Sequence, residues 1–157
     1  MKYKLKYNNN QNPISMPIVN TPVSFTSATA SYEFKDYALK IEYLNDLYIK
    51  EIDAKSVELI KDNYTLKISV NIAGTGFASE NNIVEPETII YKDKNYPRLK
   101  ITDSQTGDVD FVYIIAYPES YMSRFGMLIS YGFKHGEYNK EIEDKFLYTI
   151  SSVKFTK

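Results

Sequence analysis

Between Tyr64 and Ile72 the chain alternates strictly, with Leu66, Ile68, Val70 and Ile72 apolar and Lys67, Ser69 and Asn71 polar between them. A period of two puts the apolar set on one side of an extended strand and the polar set on the other. The same alternation runs through Tyr32-Phe34 and Tyr37-Leu39-Ile41-Tyr43, interleaved with Glu33, Lys35, Lys40 and Glu42. Strand-like runs recur at 57–60, 88–91, 98–101, 110–117, 127–133 and 146–155, separated by turn residues. Many short strands at this spacing predict an all-β fold, an antiparallel β-sandwich or jelly-roll-like domain with at most one short helix. The window 44–62 is the candidate for that helix, with Leu47, Val57 and Ile60 on a rough stripe. It also reads as strands, turned at Asn45-Asp46 and again at Lys61-Asp62-Asn63. A chain of 157 residues holds one such domain with a real core.

Ahead of that pattern lies a segment of another kind. From Tyr7 to Tyr32 there is no charged residue, and Pro13, Pro17 and Pro22 exclude a helix. Ile14, Met16, Ile18, Val23 and Phe25 give this stretch an apolar set, which suits an extended strip more than a solvated tail. The expected organisation is an N-terminal arm over 1–30 and a β domain over 31–157. The arm is expected to dock on neighbouring subunits, with those five residues as its interface, because an uncharged extended segment pairs readily with exposed strand edges. No run approaches the roughly 18 apolar residues of a membrane span, and no apolar region follows the basic start as in a signal peptide. Neither a membrane nor secretion is expected.

Composition narrows the chemistry. With no cysteine, thiolate metal sites, disulfides and thiol nucleophiles are excluded, and one histidine, His135, leaves little for histidine-based catalysis. A formal charge of −1 argues against nucleic acid as a partner. Fifteen tyrosines are best spent in sheet packing. The run Thr102 to Asp110 carries Asp103, Asp108 and Asp110, but Gln105 and Gly107 stand where a calcium loop wants carboxylates, so a hairpin turn is expected. Gly74-Thr75-Gly76 lacks the third glycine, helix and lysine of a phosphate loop. Glu85 and Glu87, and Glu141, Glu143 and Asp144, read as solvated faces rather than paired catalytic acids. No catalytic, metal or cofactor residue is assigned, and the protein is expected not to be an enzyme.

The segment Tyr113-Ile114-Ile115-Ala116-Tyr117-Pro118-Glu119-Ser120-Tyr121 describes a buried strand leaving its sheet at a proline. A strand ending in Ala-Tyr-Pro, then Ser-Tyr, then a further strand and an aromatic C-terminal strand resembles the closing segment of tailed-bacteriophage virion structural proteins, the head and tail fibres and capsid auxiliaries. The resemblance spans about residues 110–155; Met122 stands where those proteins usually place a glycine. It implies a structural component of a virion, assembled with other virion subunits and itself a homo-oligomer. Tyr117 and Tyr121 would then be surface aromatics of the interface. The other reading of the same composition is a carbohydrate- or receptor-binding β-sandwich module whose tyrosines line a groove. A third, an inhibitor of a bacterial defence protein, draws no support from the charge.

Overall fold

A computed structural model of the chain describes residues 17–20, 25, 27–72, 79–117 and 126–156. The protein is mostly β, 60% strand and 13% helical, with one α-helix and sheets of eight and three strands. In chain order the strands are β1 (Ile18–Asn20), β2 (Thr29–Phe34), β3 (Leu39–Leu44), β4 (Tyr48–Asp53), β5 (Ser56–Lys61), β6 (Tyr64–Ile72), β7 (Asn82–Tyr91), β8 (Lys94–Asp103), β9 (Val109–Ala116), β10 (Gly126–Phe133) and β11 (Lys154–Phe155). The helix α1 spans Lys140–Ser151. The large sheet runs β1-β7-β8-β9-β10-β6-β5-β4 and the small one β11-β3-β2. Pairing is antiparallel except that β1 runs parallel to β7.

The alternation in β6 works as its sequence implies. Leu66, Ile68 and Val70 are buried, and register carries the same face through Val57 and Leu59 of β5 and through Ile129, Tyr131 and Phe133 of β10. Against this face lie α1, which contributes Ile142, Phe146, Leu147 and Ile150, and β3, which contributes Leu39, Ile41 and Tyr43, in one continuous core. Each such aliphatic or aromatic side chain contributes about 1.5–3 kcal/mol when it leaves water. The window 44–62 forms β4 and β5, a hairpin, and no helix.

Two expectations are corrected. The run 146–155 is not a strand: residues up to 151 form the end of α1, and only Lys154–Phe155 is extended. Asn139 caps the helix by accepting a hydrogen bond from the Ile142 amide, Glu141 and Glu143 favour its first turn, and Ile142, Phe146 and Ile150 line up every four residues. The loop expected over 77–87 is likewise extended from Asn82 on, as the first half of β7. Ile83, Val84, Glu85 and Pro86 are all exposed there, so burial leaves no alternation to read.

Candidate functional site

The two faces of the large sheet carry different chemistry. On the covered face, Glu87 of β7, Arg98 of β8 and Tyr113 of β9 point the same way as Tyr131 of β10, and Glu143 of α1 comes down on them. The Arg98 guanidinium donates to the Glu87 Oε2 at 2.9 Å, to the Glu143 Oε1 at 2.8 Å, and to the hydroxyls of Tyr131 and Tyr113 at 3.1 and 3.2 Å. Its plane lies 3.7 Å from the centre of the Phe111 ring. Tyr131 and Tyr138 also donate to Glu143, at 2.8 and 2.5 Å. The tyrosine and carboxylate partners hold the guanidinium charged, and burial pushes the Tyr131 and Tyr113 hydroxyls above the usual phenol range, so they remain donors. All of Arg98's nitrogens are engaged, which makes the cluster a tie between helix and sheet and not a place for a substrate.

Glu143 and Asp144 are therefore not a solvated face. Both are buried, as is Lys145 beside them. Lys140 holds Asp144 at 2.8 Å, and Lys145 pairs with Asp46 from the turn between β3 and β4 and with Glu141 at 3.4 Å. Glu87 is likewise spent on Arg98. The composition offered one hint of this. Arg98 is one of two arginines in a lysine-rich chain, and a planar, forked donor is what a buried and a half-buried carboxylate require together.

The opposite face is uncovered along much of its length and carries a groove. One hollow of about 420 Å³ is lined by Thr65, Lys67, Asp110, Val112, Leu128 and Ser130. A second, of about 500 Å³, shares Thr65, Lys67, Asp110 and Gly132 and extends to Tyr64 and Asp108. Gly132 sits opposite Asp110 in the β9–β10 register, and a Cβ there would fall 2.1 Å from the Asp110 Oδ1. The glycine thus clears the space the carboxylate occupies. Asp110 accepts no hydrogen bond from another described residue. Loss of hydration in the hollow, helped by the charge of Asp108, pushes its carboxyl above the usual range. Asp108 goes the other way: hydrogen bonds from Lys134 at 2.6 Å and the His135 amide at 3.0 Å hold it low. Beyond the groove, β8 and β9 pair only from Leu99–Val112 to Thr102–Val109. Pro97, which has no N–H to donate, lies just outside that ladder, and a hollow of about 370 Å³ opens there among Pro86, Pro97, Leu99 and Ile114.

The residues expected to form an interface are placed as follows. Ile18 lies in β1 and pairs with Ile89 of this chain's own β7, with about half its side chain exposed. Phe25 is partly buried, its ring set edge-on to Tyr148 at 6.3 Å. Ile14, Met16, Val23 and Tyr121 lie outside the described residues. Tyr117 is not a surface aromatic: it is 5% exposed, because the chain leaving β9 turns its ring edge onto Phe155 at 5.3 Å. Residues 103–108 form the expected turn, with the Asp103 carboxylate accepting from the amides of Gln105 and Thr106. Among the described residues no group of three or more potential ligands is placed to hold a metal. Five of the tyrosines among the described residues, Tyr43, Tyr91, Tyr113, Tyr117 and Tyr131, belong to the core.

No family model matches the chain, and no curated protein does. Among solved structures it is similar to the cyanobacterial PsbP (CyanoP) from Synechocystis sp. PCC 6803, at 13% identity and a TM-score of 0.43, over 85% of this chain and 95% of that one. The expectation of a phage virion component, whether capsid-decorating or fibre, resident in the virion, is overturned: the neighbour found is a cyanobacterial PsbP and not a virion protein.

Proposed function

We propose that the protein is a non-enzymatic binding domain that holds a polar, hydrogen-bonding ligand in the groove of its uncovered sheet face. The observation that carries this reading is Asp110, an exposed carboxylate without a hydrogen-bonding partner among the described residues, over a hollow in which Gly132 leaves it room. A ligand donating to Asp110 takes the place of water at a charged acceptor. Lys67 supplies a cation beside it, Thr65 and Ser130 supply hydroxyls, and Val112 and Leu128 give an apolar floor. That combination of a few directed polar groups over an apolar base is the usual make-up of a small-ligand site. The tyrosines and Arg98, the strongest candidates for proton-transfer or electrostatic catalysis, are turned to the other face and tied to one another.

The test is a titration of the labelled full chain with neutral polyols, amides and amino acids, followed through backbone amide shifts. Saturable shifts confined to β6, β9 and β10, and lost in Asp110→Leu with the rest of the spectrum unchanged, are expected. A panel that moves nothing, or shifts that survive the substitution, overturns the reading.

A further inference from the structure

The hairpin joining β7 to β8 turns on Lys92 and Asp93, both in the left-handed region at φ 49° and 60°. Two-residue hairpins favour this mirror-image turn, which Asn-Gly fills easily and a lysine fills only against the clash of its own Cβ. The turn places the Lys92 ammonium 4.8 Å from the centre of the Tyr148 ring and 5.3 Å from that of Tyr91. Neither Lys92 nor Lys94 is paired with a carboxylate among the described residues. Lys154 of β11 stands on the far side, 3.3 Å from Glu42 and mostly exposed. With Tyr96 and Tyr148 these lysines line a hollow of about 290 Å³. Next to it the Tyr91 hydroxyl is fully buried and has no hydrogen-bond partner among the described residues. Burial, helped by the charge of Asp144, pushes it up to about 12.

We propose that this hollow is an anion site that takes the oxyanion group of a small phosphorylated or sulfated ligand between Lys92 and Lys94. It is separate from the groove around Asp110 and goes beyond the function proposed above. The donors available are the two ammonium groups and the hydroxyls of Tyr96 and Tyr148. The hydroxyls of Ser151 and Ser152 already donate, to the Tyr148 carbonyl and to the Glu42 and Thr149 carbonyls. The opposing charges are Glu42, Asp93 in the turn, Asp144 behind Tyr91, and the carbonyl end of α1. Lys154 answers Glu42 and Lys140 answers Asp144, so Lys92, over its two rings, and Lys94 remain as the positive charge without a carboxylate partner among the described residues. A strained turn that presents a cation is the kind of local conflict expected where function overrides folding preference.

Calorimetric titration of the full chain with inorganic phosphate and with sulfate, at ionic strength fixed by chloride, tests the site. Saturable binding of either is expected; phosphorylated and sulfated monosaccharides as further arms show which kind of ligand is preferred. Lys92→Ala with Lys94→Ala should weaken binding by about tenfold or more, as loss of charge-assisted hydrogen bonds does, while Lys67→Ala leaves it unchanged. The variant Lys92→Asn with Asp93→Gly relaxes the turn and should raise the melting temperature while lowering affinity. Heats no different from chloride, binding that survives the double lysine variant, or a relaxed turn that binds like the wild type would each overturn the proposal.

Discussion

The two faces of the eight-stranded sheet are built from the same strands, yet one is saturated and the other is open. On the covered side the buried charges have partners: Arg98 sits between Glu87 and Glu143, and the ring of Phe111 stacks beneath its guanidinium. On the uncovered side Ile114 and Val84 are 57% and 41% exposed, and Asp110 waits without a donor among the described residues. The difference teaches where this chain spends its stability and where it leaves freedom. Substitutions on one side should unfold it, and substitutions on the other should change only what it can hold.

The contrast breaks most sharply at Arg98. Arg98→Met strands the buried Glu143 and the half-buried Glu87, and urea denaturation should show a loss of about 3–5 kcal/mol, the cost of breaking a buried pair by removing one partner. Tyr131→Phe removes one hydroxyl that both donates to Glu143 and accepts from Arg98, and should cost about 1–3 kcal/mol in the same experiment. On the open side Gly132→Ala drives a methyl into the Asp110 carboxylate; the loss should lie at the low end of the roughly 1–3 kcal/mol of overpacking, because an exposed side chain can move aside.

Asp110→Asn sharpens the comparison by sign. The folded carboxyl titrates above its unfolded value, so the protonated form favours folding and the wild type loses stability as pH rises through the folded pKa. The variant should therefore be slightly the more stable at neutral pH, and the two should converge as pH falls below the unfolded value, measured as melting temperature against pH. The neighbouring Asp108 has the opposite sense: its stabilisation is present at neutral pH and is lost on acidification. Smallest of all, Ile114→Ser should stay within about 0.5 kcal/mol of the wild type, as exposed positions usually do.

How much of this can be read from the sequence follows the same division. Strands buried on one face announce themselves, as β6 does through Leu66, Ile68 and Val70 and as β10 does through Met127, Ile129 and Tyr131. The first half of β7 gives no signal because Ile83 to Pro86 are all exposed. The helix is hidden by its own chemistry: Glu143, Asp144 and Lys145 read as solvent-facing charge, and Tyr148, Thr149 and Ile150 read as strand. Only partners far away in sequence reveal their burial. Tyr117 misleads for a similar reason, since Tyr-Pro spells a loop and the ring nevertheless folds back onto Phe155. Asp110 lies in a stretch that is correctly read as leaving a turn, but the groove above it exists only once β6, β9 and β10 are side by side. No local pattern encodes that.

The helix has one last consequence, for cooperativity. Two of its three consecutive buried charges are answered from distant parts of the chain: Glu143 by Arg98, 45 residues away, and Lys145 by Asp46, 99 residues away, while Asp144 is held by Lys140 on the helix itself. Docking α1 before both answers are in place would bury naked charge, so partially assembled states are penalised more steeply than a purely apolar helix would make them. The cluster that does least for ligand binding is thus expected to make the two layers melt in a single transition.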